Sequence, residues 1–290
     1  MKAIERGIIS DYDLKSPGKR AIYYVMLLIV LVMVCTMLYP MLVIFFNGVK
    51  LNTEVNSFPP TFLPSEWHFE NYKKAWGYIN LPQFARNTLF IFAGNMAMTV
   101  IVVGFASFSL SRMNVPYKKV IQYFFLLTLF IPPTTYIIPN FVNLRDLGLM
   151  NTFWALWLPA GANAFFLLLL KTFFDGINME MFESGRIDGA SEPRLYFQIA
   201  FPLSVPIFAT LAIFVFSSAW NDWYWPSLIL SSDQRYPLAT AIYKYVINVR
   251  RLDLNLRFAI LSMITFPPVI VFLIFQKYIV RGLHMGSVKG

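Results

Sequence analysis

Six stretches of the chain run apolar for about the length that crosses a bilayer, at roughly 21–46, 88–110, 121–142, 152–170, 205–230 and 258–279. A hydrocarbon layer about 30 Å thick takes roughly 20 consecutive apolar residues in helical form. None of the stretches alternates polar with apolar residues, so a porin-like barrel is excluded and helices are predicted. Polar, proline-bearing segments separate them, and the pattern predicts an all-α polytopic membrane protein with six transmembrane helices.

The first stretch follows a polar segment ending in Lys19-Arg20, lacks a small-residue cleavage site and outruns a signal-peptide core. It is therefore read as a retained span, with a removed signal peptide as the alternative. Six spans place both termini on one side. With that side cytoplasmic, about 14 Lys and Arg fall inside and about 10 outside, which is the orientation that the positive-inside rule favours. Arg112, Lys118 and Lys119 of the first inner loop contribute to the bias. The prediction is a multi-pass membrane protein with both termini on the cytoplasmic side.

In this topology all seven tryptophans lie toward the outer side. Trp67 and Trp76 are in the first outer loop, Trp154 and Trp157 open the fourth span, and Trp220, Trp223 and Trp225 lie in the outward half of the fifth. Two readings stand: an aromatic belt at the interface, or rings that stack on sugar faces at an outward mouth. A second outer segment, 231–257, is rich in basic residues, among them Arg235 and Lys244, read as a solvated face or an attractant for an anionic group.

Composition adds what the pattern leaves open. With 57% hydrophobic and 13% charged residues, the chain has too little charge for a soluble domain. The lone Cys35 allows no internal disulfide and no cysteine cluster for a metal. Within the spans stand one carboxylate, Asp222, and no histidine, which disfavours a proton-driven carrier. Asp222 is open to two readings, a structural hydrogen bond beside Trp220 and Asn221 or a place on a transport path. No G-x-x-x-x-G-K-[ST] loop occurs, so any ATP that drives transport is bound by another subunit. No cluster of catalytic residue types supports an enzyme. Pro132 and Pro139 are positioned to kink the third span.

Between the fourth and fifth spans, residues 178–206 predict two short helices with a corner. Asn178 caps the first, Gly189 ends it in the left-handed conformation, and Ser191 caps the second with Pro193 in its first turn. Leu195 and Ile199 share one face, and Pro202 and Pro206 direct the chain back toward the membrane. On these residues alone the segment could equally be an amphipathic interfacial hairpin.

The segment resembles the EAA loop of the permease subunits of ABC importers, with Glu183, Gly189, Ile199 and Pro202 at matching positions. Ser184 and Gly185 replace its alanines and Phe201 its leucine. Phe58-Pro59-Pro60 with Asn71-Tyr72, Ile131-Pro132-Pro133, Gly148 to Thr152, Trp220-Asn221-Asp222 to Pro226, and the ending from Gly282 resemble one branch, the MalG-type permeases of carbohydrate importers. The resemblance implies a permease subunit that is not itself an enzyme. It works with a MalF-like second permease, two ATPase subunits that use ATP and magnesium, and an extracytoplasmic solute-binding protein. The cargo would be an oligosaccharide or related carbohydrate, with no nucleic acid involved. It places a cytoplasmic segment at 1–20, an outer loop at 47–87, a core at 88–280 with a coupling loop at 175–204, and a cytoplasmic tail at 281–290. ATPase contacts are implied at Glu183, Ser184, Gly185, Asp188, Gly189, Ala190, Ile199 and Pro202, and at Lys289 and Gly290 of the tail. Trp220, Asn221, Asp222, Trp223 and Trp225 are the candidates for the substrate path. The rival reading is an ion-coupled secondary carrier of a small polar solute.

Overall fold

A computed structural model describes residues 17–249 and 251–287, with side chains as far as Gln276. Helix dominates, and no strand occurs among the described residues. Three helices are long and apolar enough to cross a membrane: α1 (Pro17–Gly48), α2 (Leu81–Arg112) and, within the last helix, Leu254–Gln276. Three bent pairs raise the number to as many as six: α3 (Lys118–Thr128) with Pro133–Asp146, α4 (Trp154–Ala160) with α5 (Ala164–Asp175), and α7 (Glu192–Leu203) with α8 (Val205–Asn221). Between α5 and α7 lies α6 (Glu180–Ile187). After α8 come α9 (Tyr224–Ile229), α10 (Leu238–Ile247) and α11 (Leu254–Ser287).

The breaks correct the expectation of continuous spans. The third turns by 97°, at Pro132, one of the prolines read as positioned to kink it. Pro132 and Pro133 stand together there, removing two N–H donors and forcing the preceding backbone out of the helical region, whereas Pro139 falls harmlessly in the first turn of helix Ile137–Asp146. The fourth bends by 46° across 161–163, and the Asn163 side chain accepts from the Phe166 amide at 2.9 Å to start α5. The fifth stops at Asn221, so Trp223 and Trp225 lie beyond its helix.

The chain divides into two compact units. The first comprises the chain to Ala75 together with Leu252–Thr265. Its α1 has none of its apolar window buried inside the chain, so that surface needs lipid or another subunit around it. Past α1, Lys50 is 1% exposed, and its ammonium donates to Asn47 Oδ1 at 3.0 Å and to the Thr61 carbonyl. The Lys50 carbonyl accepts from Asn71 at 2.8 Å and Asn255 at 3.2 Å, which ties loop to helix. Gly48 lies where a Cβ would stand 3.0 Å from the Ala259 backbone.

Glu54 organises the adjoining loop by accepting from the Ser65 amide at 2.9 Å and the Thr61 and Ser65 hydroxyls at 3.1 Å each. Burial pushes its carboxyl up, but the Ser65 and Thr61 bonds and the charge of Lys50 outweigh this and hold it below its ordinary value. A depressed folded pKa contributes stability that is present above the ordinary carboxylate range and lost as pH falls through the folded value. Proteolysis of loop 52–65 should therefore accelerate on acidification below the ordinary range, and Glu54→Gln should flatten that dependence. An equally steep profile in the variant would assign it to other groups.

The second unit holds 76–251 and 266–290. Its core gathers Val103, Phe108 and Leu110 of α2, Leu167, Leu170 and Phe174 of α5, Phe182 of α6, Leu195, Tyr196 and Ala200 of α7, and Ile207, Phe208 and Leu211 of α8. Helix α2 contains a π turn at Thr99–Val103, and α7 contains another at Tyr196–Ala200. Ser107 locks α2 to α5 by donating to the Leu167 carbonyl at 2.9 Å.

Candidate coupling element and polar cavity

The corner that joins α6 to α7 forms largely as its residues dictate. Asn178 Oδ1 accepts from the Glu180 amide at 3.1 Å at the start of α6. Gly189 ends the helix at φ +79°, where a side chain would be strained. Its amide donates to the Arg186 carbonyl at 3.0 Å and the Ala190 amide to the Gly185 carbonyl at 2.9 Å, the bond pair of a Schellman motif. Ser191 occupies the cap position of α7 with extended backbone, but its hydroxyl makes no capping bond, contrary to expectation; Pro193 stands in the first turn as predicted.

One face of this corner is anchored firmly. Phe182 and Tyr196 are 0% exposed and Leu195 1%. Gly185 explains itself: a Cβ there would stand 2.5 Å from Leu195 Cδ2, so the glycine lets α6 and α7 meet. Ile199 packs partly buried against the same core. Arg112, at the end of α2, donates to the Phe174 carbonyl and to the Ile177 carbonyl at 2.5 Å, capping the last turn of α5. Its guanidinium also lies 5.2 Å over the Phe182 ring. The Arg112 carbonyl accepts in turn from Arg186 at 2.9 Å, while Arg186 grips Glu192 through two bonds of 2.7 and 3.1 Å.

The opposite face is bare. Glu183, Ser184, Asp188 and Gly189 are exposed, as is Pro202 further along, and Ala190 is half-buried. Beside Glu183, Ile187 is 86% exposed and Met181 43%. The exposed face thus sets acidic Glu183 and Asp188 beside apolar Met181 and Ile187, on a base that is buried and hydrogen-bonded behind it.

A second polar feature sits at the far end of α8. Asp222 Oδ1 accepts from the Trp225 amide at 3.1 Å, which caps the turn into α9. This is a structural hydrogen bond of the kind read for Asp222, with the Trp225 amide as its donor. The carboxylate also lines a cavity of about 170 Å³ with Asn95, Ser218, Trp225 and the apolar residues Ile91 and Leu156. Asn95 Oδ1 is buried without a partner. Trp220 is buried, stacked at 5.3 Å on Phe216, whereas Trp223 is 40% exposed and lies 4.1 Å from the Tyr243 ring. Among the named tryptophans, Trp225 thus shares the cavity with Asp222, and Trp220 is a packing residue.

Residues 100–285, more than half the chain, match the family model described as "Binding-protein-dependent transport system inner membrane component". The chain belongs to this family. It is 30% identical over 230 residues to the probable ABC transporter permease protein YurM of Bacillus subtilis (strain 168), covering 79% of this chain and 76% of that one. It is also 30% identical over 263 residues to the galactooligosaccharides transport system permease protein GanQ of the same organism, covering 89% and 92%. The diacetylchitobiose uptake system permease protein NgcG of Streptomyces coelicolor is 28% identical over 253 residues, covering 86% and 83%. A crystal structure of a bacterial ABC transporter involved in the import of the acidic polysaccharide alginate shares the fold, with a TM-score of 0.81 at 23% identity over 91% of this chain and 98% of that one.

As a permease, the protein is a multi-pass membrane component, not an enzyme, and ATP hydrolysis belongs to a separate subunit. The family implies an importer completed by a partner permease, an ATPase and a binding protein. Three basic residues make structural contacts that the sequence pattern does not reveal. Arg112 was expected to be a topology charge, yet it clasps α5 and α6. Arg235 and Lys244 were read as part of a solvated basic face or as an attractant for an anionic group. Arg235 is exposed and donates to the Asn151 carbonyl, and Lys244, half-buried, donates to the Tyr236 hydroxyl at 2.6 Å and lies 4.0 Å over that ring. Lys289 and Gly290 lie outside the described residues.

The cap at Asp222 yields a direct expectation. Asp222→Asn keeps an acceptor for the Trp225 amide and should hold stability, whereas Asp222→Ala should lose about 1 kcal/mol, the usual worth of such a cap. Unfolding of the purified permease in a denaturing detergent series measures both. Equal loss in the two variants would mean that the charge, and not the cap, matters.

Proposed function

We propose that this permease, with a MalF-like partner, forms the membrane path of an ATP-driven importer of oligosaccharides or related carbohydrates. Its termini and the corner α6–α7 face the cytoplasm, and the corner docks on one of two ATPase subunits, where ATP and magnesium are bound. Closure of the ATPases moves the corner and switches which side of the membrane the path opens to. An extracytoplasmic binding protein delivers the sugar. The sugar-transporting relatives support the cargo class, and the polar cavity with Asp222, Asn95 and Trp225 supplies hydroxyl acceptors and an indole of the kind that sugars use.

The observation that carries the docking role is the asymmetry of the corner: Phe182 is fully buried, while Glu183 and Ile187 on the same helix stand free. Ile187, 86% exposed beside Met181 at 43%, offers a partner apolar area next to the Glu183 carboxylate. In this reading Ser184, Gly185, Asp188, Gly189 and Ala190 shape or border the contact, Ile199 and Pro202 set the return of the chain to the membrane, and the tail at Lys289-Gly290 reaches the same partner. Glu183→Ala in the assembled importer should cut sugar uptake at least tenfold while the amount of permease in the membrane stays level. Uptake equal to the unmodified importer would contradict the docking role.

A further inference from the structure

The corner is continuous in sequence with α8 and packs on it through Phe201 against Phe208 at 5.1 Å, and it is hydrogen-bonded across to α2 as well. Between α7 and α8 the chain turns by 81°, and at the turn the Ser204 hydroxyl is buried with no hydrogen-bond partner. Toward α2 the attachment is dense. Tyr196, at the start of the π turn in α7, donates its hydroxyl to the Val100 carbonyl at 2.5 Å. Val100 lies in the π turn of α2. The hydroxyl fills a notch that Gly104 leaves open, since a Cβ at Gly104 would stand 2.1 Å from that oxygen. The Tyr196 ring packs edge-on against Phe105 at 5.5 Å and tilted on Phe108 at 5.6 Å, both on α2. One turn further, the Arg112 carbonyl receives Arg186. A π turn interrupts the regular ladder and is a recognised place for a helix to change its bend.

We propose that motion of the corner enters the bundle through α2, with Tyr196 as the positioning residue seated in the notch of Gly104 and Val100. The inference rests on the docking role proposed above. It makes the widened turn Thr99–Val103 the point at which α2 responds, in addition to the direct chain connection into α8. Because hydroxyl and notch fit each other, the two positions are coupled: filling the notch is most harmful while the hydroxyl is present and less so once it is gone, when the nearest atoms are ring carbons of Tyr196 and Phe208 at 3.2 Å.

The test uses the assembled importer with Cys35→Ser and one reporter, Asn221→Cys, at the exposed end of α8. A membrane-impermeant maleimide is applied at rest and after trapping the ATPases with ATP and orthovanadate, and the change in labelling rate reports how far their closure is felt there. Tyr196→Phe should reduce that change at least twofold and Gly104→Ala at least fivefold. The double variant Gly104→Ala/Tyr196→Phe should recover from the level of Gly104→Ala toward that of Tyr196→Phe. Variants that keep the full change, or a double variant no better than Gly104→Ala, would overturn the inference. Should Gly104→Ala fail to assemble, Tyr196→Phe alone decides, since it removes one oxygen and leaves the ring packing in place. A reporter that does not respond even with the natural residues at 104 and 196 counts against the docking role itself, and a responsive reporter with insensitive variants counts against the α2 route alone.

Discussion

Phe182→Ala is expected to cost about 3–5 kcal/mol of the stability of the second unit, the usual range for emptying a fully buried phenylalanine site. The ring has 0% exposure and meets Phe108 at 5.7 Å, with the Arg112 guanidinium above it. Its loss leaves a hole that the surrounding rings are too rigid to close, and removes the surface on which Arg112 lies. Phe182→Leu, which keeps most of the volume, should cost nearer 1 kcal/mol. The consequence for transport goes beyond stability, because α6 would lose the anchor behind Glu183. Unfolding in a denaturing detergent series, with uptake measured on the same preparations, checks both. A cost below about 0.5 kcal/mol, typical of a surface site, would mean that the corner is not packed as described.

The second large effect is expected at Gly94 on α2. A Cβ there would fall 2.0 to 2.4 Å from three atoms of the Trp157 indole, so even alanine has to expel the ring. Trp157 stands in an aromatic group with Phe90 at 5.0 Å, Phe153 at 6.0 Å and Trp154 at 5.2 Å, and its movement disturbs all of them. Small residues where membrane helices cross allow this kind of close approach. Gly94→Ala should cost about 1–3 kcal/mol, the ordinary penalty for overpacking. Gly94→Val should cost more than that, and pairing Gly94→Ala with Trp157→Phe should return part of it. The same unfolding series measures these costs, and a neutral Gly94→Val would show that α2 and α4 do not approach as closely as described.

How much of this was legible beforehand follows from which forces act locally. The apolar runs were legible because a bilayer demands long uninterrupted stretches, and the core of α2 falls where the pattern places it. The corner was legible at Gly189, where a left-handed residue ends α6, because that requirement is local to a few residues. The depth of the breaks was not: prolines at 132 and 133 announce a kink, but their neighbours decide whether it is slight or 97°. The short stop at Gly161 to Asn163 carried a signal in its glycine and its capping asparagine, which the surrounding hydrophobicity obscured.

The candidate site divides in the same way. Glu183 and Gly189 are recognisable by spacing along the chain. Arg112, Arg186 and Tyr196 are not, because their roles depend on partners 62 to 96 residues away, as with Arg112 on Phe174 and Tyr196 on Val100. A basic residue at the end of an apolar run reads equally as topology signal or as a clasp, and packing alone separates the two. Asp222 shows the reverse case: a carboxylate in an apolar run invites a transport role, while its bond to the Trp225 amide serves first to turn the chain.

The most direct measurement is a cysteine crosslink at the bare face of α6. With Cys35→Ser and Glu183→Cys in the otherwise intact importer, a short bifunctional thiol reagent should join this chain to an ATPase subunit carrying a cysteine in the cleft that receives α6, and ATP binding should alter the yield. If a scan of cysteines across the ATPase surface produces no adduct with position 183, while the complex still purifies whole and transports sugar, then the corner is not where the energy of hydrolysis reaches the membrane.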